Sequence, residues 1–309
     1  MNKVRLDFFG GTMAGWYAIP RRVGNTGNRK PDAAAPLLGD HRSMPAHRPA
    51  EPDISRYYTE VYAEADRLEG SPQGRLEARR TRDLLARLLP AAPADVLDVG
   101  GGPGAYAGPL AAAGYRVHLV DLVPAHVAAA RSAYPLVTAS VGDARALPSP
   151  DAAADATLLL GPLYHLPRQA DRVAALREAA RVTRPGGTVV AAAISRHAAL
   201  IDLSAQGRVD EHNRRLLRAE YETGVNDPRT GFTTAFFHRP EELAADFVAA
   251  GLPDPQVYGV EGPLWPLLNA LGTGSHERLF ADALACAETF ERDAAILGAS
   301  AHLLAAARR

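Results

Sequence analysis

The run Asp98-Val99-Gly100-Gly101-Gly102-Pro103-Gly104 constrains this chain more than any other. A short apolar strand, Val96 to Val99, leads into it, and the helical stretch Ala105–Ala113 leaves it. Glycine at 100 allows a sharp turn, and glycine at 102 lets backbone approach a ligand closely, since neither carries a Cβ. Gly104 lets the helix begin close against the sheet. Such a strand–turn–helix joint holds ligands beyond the carboxyl ends of a parallel sheet. Dinucleotide enzymes space the turn Gly-x-Gly-x-x-Gly to seat a diphosphate. Here the spacing is Gly-x-Gly-x-Gly, which argues against a dehydrogenase. The acidic Asp98 before the turn also suits a ligand with a positive end better than one with phosphates.

Downstream of this turn, strands and helices alternate. The pattern predicts strands at 117–120, 136–141, 156–160 and 188–194, with helices at 124–134 and 169–183 between them. This periodicity predicts a doubly wound, mostly parallel α/β sheet of seven strands, covered on both faces and topped by a helical lid. A strand-like piece is expected at 233–237 and a sixth strand at 256–260, with helices at 241–250 and from Trp265 to about Ala294. Ser300 to Arg309 is Ala-rich, which favours helix; topology favours a strand, read here as an antiparallel edge. Residues 1–50 are turn-forming and aperiodic and are expected to be a disordered or misassigned extension. Residues 51–309 form the expected domain: N-terminal helices at 53–90, a ligand-binding core at 95–194 and a lid or substrate insert at 195–238. The helix at 76–89 is expected to follow a loop from Gly70 to Gly74.

Three acids punctuate the strand ends. Asp121 closes the second strand, where a carboxylate can accept both hydroxyls of a ribose; it can equally cap the helix from Pro124. Asp143, in Gly142-Asp143-Ala144-Arg145, can accept from an exocyclic amine, with the Ala144 N–H meeting a ring nitrogen. Leu159-Leu160-Gly161-Pro162-Leu163-Tyr164-His165-Leu166 comes after the fourth strand, and Ala180–Gly187 forms a helix–turn–strand joint.

In this order and spacing the segments resemble the class I methyltransferases that use S-adenosylmethionine (SAM). The match is clear from Leu97 to about Ile194. More narrowly, Gly161–Leu166, Phe237-His238-Arg239-Pro240-Glu241-Glu242-Leu243 and Glu261-Gly262-Pro263 look like a bacterial group of small-molecule methyltransferases. The resemblance implies that Asp98 and Gly100, Gly101, Gly102 and Gly104 hold the methionine part of SAM. Asp121 would hold the ribose and Asp143, with Ala144, the adenine; Leu122 would also contact the cofactor. Leu160 and Gly161 would face the sulfonium and the acceptor. That group often carries an acid shortly after Tyr-His-Leu; here the position is Arg168, so the resemblance carries over no acidic base there.

His165 is the first candidate for a base, since an imidazole can titrate near neutrality. Tyr164 is a candidate for orienting the acceptor, and His238 for reaching the site from the lid. Arg196, Phe236 and Trp265 are candidates for acceptor contacts, and Tyr57 for closing over the cofactor carboxylate. Each also has a plain packing role open to it. Arg79 and Arg80 would join Arg196 if the acceptor were a diphosphate. The aromatics Tyr221, Phe232, Phe236, Phe237 and Trp265 point to an apolar acceptor, as in secondary metabolism. No metal is expected, because the histidines lack ligand spacing.

A net charge of −1 offers no global field for nucleic acid or anionic membrane. Nucleic-acid amine methylation also calls for Asp or Asn before Pro-Pro-aromatic after the fourth strand, where this chain has Gly161-Pro162-Leu163-Tyr164. A regulatory SAM-binding module with an interaction arm at 195–230 is the remaining rival. With a single cysteine, Cys286, and no apolar run long enough to span a bilayer, a cytoplasmic protein is expected. The acceptor and the oligomeric state are not legible.

Overall fold

The computed structural model describes residues 68–227, 232–271 and 277–309. The expectations for residues 1–50, for the first N-terminal helix and for Tyr57 lie outside the described residues. Helix α1 (Pro72–Leu88) starts four residues before the expected Leu76. Ser71 caps it, its Oγ accepting from Gly74 N at 2.9 Å, and Pro72 fills the first helical position. Ser-Pro is a helix start that the glycines on either side disguise.

The core then runs β1 (Asp95–Val99), α2 (Ala107–Ala112), β2 (Arg116–Asp121), α3 (Pro124–Ala133), β3 (Thr138–Val141), β4 (Ala154–Leu159), α4 (Gln169–Val182) and β5 (Thr183–Ile194). The chain continues with α5 (Ala198–Ala205), α6 (Glu211–Thr223) and the two-residue ladder of β6 (Val225–Asn226) with β7 (Ala235–Phe236). The chain ends in α7 (Pro240–Ala249), β8 (Gln256–Gly259), α8 (Trp265–Leu271), α9 (Glu277–Phe290) and β9 (His302–Arg308). Of the helical stretch expected from Trp265 to about Ala294, α8 and α9 are described, and residues 272–276 lie outside the described residues.

Seven strands form one sheet in the order β3-β2-β1-β4-β5-β9-β8. β1 to β5 are parallel; β9 runs antiparallel to both neighbours. The last strand is therefore interior, and β8 is the edge. Alanines at 305 and 306 are buried between β5 and β8, so pairing on both sides overrides their helix preference. The expected turn at Pro185-Gly186-Gly187 lies inside β5. Ala154 pairs with Thr183 and Ala156 with Thr188, so the turn is a bulge in a continuous strand.

Adjacent apolar residues go to opposite faces. Leu97, Leu159, Val189 and Leu303 pack with Leu176 of α4 and Phe247 of α7. Val96, Leu158, Val190 and Leu304 pack with Leu85 of α1, Ala111 of α2 and Val127 of α3. Strand period two does this. Leu158 and Leu159 are 0% exposed, and burial of each is worth roughly 1.5–3 kcal/mol. A third cluster, with Leu76, Tyr164, Ile194, Phe237, Trp265 and Leu268, roofs the carboxyl end of the sheet. Strand order reverses between β1 and β4, and the turns after these two strands meet there. A Cβ on Gly100, whose φ is +68°, would lie 2.6 Å from Pro162 Cγ.

Candidate cofactor and acceptor site

A cavity of about 590 Å³ opens at this switch point. Asp98, Asp121 and Asp143 all line it, as do Gly100, Gly101, Gly102, Leu122, Ala144, Leu160, Gly161, Tyr164 and His165. Residues from four strand ends, those of β1 to β4, thus converge because the strands are parallel and adjacent. Gly104 is not among the lining residues; at φ +97° a Cβ there would sit 2.8 Å from Tyr134 of α3, so it serves the packing of the turn.

Asp98 is 1% exposed, and among the described residues neither of its carboxylate oxygens has a hydrogen-bond partner. Burial pushes its carboxyl up to about 7, and the charge of Asp121 adds to the shift. A Cβ on Gly101 would lie 2.5 Å from Asp98 Oδ2 and 2.7 Å from Leu119 Cδ1. The bare backbone at 101 is what lets the acid fit beneath the turn.

Asp121 ties two turns together. Its Oδ2 accepts from Gly102 N and its Oδ1 from Val123 N, each at 2.8 Å. The helix-capping and ligand-facing roles coexist in one carboxylate, since its two oxygens carry about four acceptor sites. His126, one turn into α3, puts Nδ1 3.3 Å from Oδ1 and also lines the cavity. Asp143 is engaged by its own neighbour: Oδ1 accepts from Arg145 N at 2.9 Å, and Arg145 Nη2 donates to Oδ2 at 2.7 Å. The Arg145 guanidinium holds the Asp143 carboxyl below its usual range.

His165 lies on a 3-10 turn, Pro162–His165, against Tyr164 (ring centroids 4.6 Å) and Phe232 of the lid (6.0 Å). Burial pulls its pKa down to about 4, with Asp121 opposing. The expectation of titration near neutrality is therefore corrected: His165 is neutral at physiological pH and a weak base. A Cβ at Gly161 would sit 3.5 Å from the Tyr164 hydroxyl, which brings that hydroxyl to the same corner.

Four expected acceptor-side residues are absent from the cavity wall. Arg196 is 2% exposed and donates to Phe237 O, Tyr221 O and Glu242 Oε2. His238 is fully buried, with Nε2 3.4 Å from Asp246, which also accepts from Arg172 at 2.7 Å. Phe236 lies under the Arg172 guanidinium at 3.8 Å. Trp265 is fully buried and donates to Ala299 O. All four hold the roof together: Arg196 and His238 are consumed by the carboxylates of α7, Phe236 stacks on Arg172, and Trp265 bonds backbone. Arg79 and Arg80 do not join Arg196, being paired with Asp83 and Glu291. His126 and Arg145 are cavity residues that the sequence pattern did not single out. Nor did it give a role to Thr234, which brings the lid to the wall, or to the Arg168–Asp171 pair at 2.7 Å. Position after a strand-end acid was the available signal for the first two.

Residues 96–187 match a family model described as a methyltransferase domain. Over these residues the chain carries a methyltransferase domain. Uncharacterized methyltransferases of Mycobacterium bovis and Mycobacterium tuberculosis are each 39% identical over 100 residues, 32% of this chain and 40% of theirs. The match thus spans less than half the length of those curated relatives. A SAM-dependent methyltransferase of Mesorhizobium loti shares the fold at a TM-score of 0.52 and 19% identity, over 78% of this chain and 100% of that one. One from Thermotoga maritima does so at 0.52 and 17%, over 82% and 97%.

The methyltransferase domain's residues fit SAM. The orphaned Asp98 carboxylate is a ready counter-charge for a cationic group, and the glycine turn leaves backbone bare above it. Asp121 keeps acceptor capacity beyond its two backbone bonds. Asp143 fits least well, because an exocyclic amine must share it with Arg145.

Proposed function

We propose that this chain transfers the methyl group of SAM to a small-molecule acceptor, with residues 51–309 acting as one catalytic unit and 195–238 as its lid. The observation that carries the reading is the convergence of Asp98, Asp121 and the Gly100–Gly102 backbone on one cavity. Its volume, about 590 Å³, lies inside the roughly 300–1,000 Å³ span of small-molecule sites.

SAM, when bound, supplies an electrophilic methyl group on a sulfonium. Asp98 would balance the cationic amino end. Asp121 would take two ribose hydroxyls, and Leu122, which is 45% exposed, offers an apolar surface to a flat base. Asp143 and the Ala144 N–H would take the base edge. Leu160 and Gly161 would flank the reacting end, with Tyr164 and His165 facing the acceptor. Holding an acceptor in line is worth on the order of 7–11 kcal/mol of barrier. A neutral His165 can accept a hydrogen bond from an acceptor O–H or N–H. At a pKa near 4 it is too weak to deprotonate an alcohol, so the acceptor is one that is already nucleophilic or readily loses its proton. The aromatic lid carries no weight for an apolar acceptor, since Phe236 and Trp265 pack away from the wall; Leu68, Pro162 and Leu166 do line it. Incubation with methyl-labelled SAM and a fractionated metabolite extract, followed by mass spectrometry, tests the reading. Label on a low-mass product supports it. Tight SAM binding with no labelled product from any fraction would replace it with a regulatory SAM-binding module.

A further inference from the structure

We infer a second site, for a divalent transition metal, at Glu77, Glu261 and His302. It lies outside the cavity and is independent of the methyl-transfer reading. The three residues are 6%, 0% and 6% exposed, and one donor atom from each falls within 4.8 Å of the others. They come from three separate elements: α1, the Glu261-Gly262-Pro263 segment after β8, and the first residue of β9. That distance in sequence is why no ligand spacing could announce them.

The donors are already oriented. Ser300 Oγ and His302 N both donate to Glu261 Oε2, at 2.8 and 2.9 Å. Oε1 is thereby turned to His302 Nδ1, 2.5 Å away, and Glu77 Oε2 approaches the same nitrogen at 3.8 Å. Fixing a ligand carboxylate by outer hydrogen bonds is what metal sites do. Two carboxylate oxygens and one imidazole nitrogen, all buried, make a mixed N/O donor set of the kind that holds a transition metal. Zn²⁺ bonds of about 2.0–2.1 Å put ligand atoms roughly 3.3 Å apart, so the Glu261–His302 contact need open by under about 1 Å. The imidazole excludes Mg²⁺ and Ca²⁺ as the favoured ions and selects Zn²⁺. The ion would clip α1 to the interior strand β9.

The test uses the full chain without an affinity tag, chelator-treated and dialysed, titrated with ZnCl₂ by calorimetry and with CoCl₂ by visible absorption. One equivalent of Zn²⁺ should bind with submicromolar affinity. Co²⁺ should give the strong bands of a four- or five-coordinate N/O site. Glu261→Gln and His302→Gln should lose that equivalent, and Ser300→Ala should weaken it by about 10–100-fold. His212→Gln, on the lid surface, should keep it. If the ligand variants fail to fold, the Co²⁺ spectrum of the wild-type chain decides alone. A folded wild-type chain that takes up no equivalent, or that shows only weak octahedral Co²⁺ bands, overturns the site. So does full binding in a folded His302→Gln.

Discussion

A buried carboxylate without a donor works against the fold that carries it, and Asp98 is such a group. Its raised pKa means the folded state holds a proton that the unfolded chain has released, between about 4 and about 7. The native state therefore loses stability as pH rises through that window. A cationic ligand reverses the preference and favours the ionised acid. SAM affinity should accordingly strengthen as pH rises through 7, with a proton released on binding below it; calorimetry in buffers of different ionisation heat measures both. Asp98→Asn should raise Tm at pH 8 by about 2 °C or more and weaken SAM binding, a split that a merely structural acid would not give. Asp121→Ala strands the Gly102 and Val123 N–H groups and removes two ligand acceptors. A loss of at least about 3 kcal/mol, or 100-fold in SAM affinity, is expected by the same titration. His165, already neutral, should contribute no inflection to the kcat profile between pH 5 and 9; a wild-type inflection near 6.5 that disappears in His165→Gln would count against the burial argument.

Among the elements, β9 bears the greatest structural weight relative to its chemical content. It is seven residues long, carries three consecutive buried alanines and pairs with β5 and β8 at once. Truncation before His302 exposes both partners' ladders and detaches β8. The shortened chain should show no cooperative thermal transition by circular dichroism. The strand and helix pattern of the core was legible because period two and period 3.6 are local. The interior place of β9 was not, since antiparallel insertion between β5 and β8 leaves no local mark. The α1 start at Ser71-Pro72 was legible in principle, but the surrounding glycines read as loop. In the site, Asp98, Asp121 and Asp143 were readable because each lies at or just beyond a strand end. His238 and Arg196 were misread because Asp246 and Glu242, which consume them, reach them from α7 only in three dimensions.

At the scale of the whole molecule, a nearly neutral chain presents a cavity at the sheet's switch point rather than a charged groove. Among the described residues no helix is long and apolar enough to cross a membrane. A labelled DNA duplex or RNA hairpin should therefore show no specific binding by fluorescence anisotropy at physiological salt, where non-specific contacts lie at roughly 10⁻⁴–10⁻⁶ M. The cradle between Asp98 and Asp143 is the feature on which the proposed methyl transfer most directly depends. Calorimetric titration of the full chain with SAM should give one site per chain, competed by S-adenosylhomocysteine and weakened about 100-fold or more by Asp121→Ala. A folded chain that takes up NAD and gives no heat with SAM would contradict it.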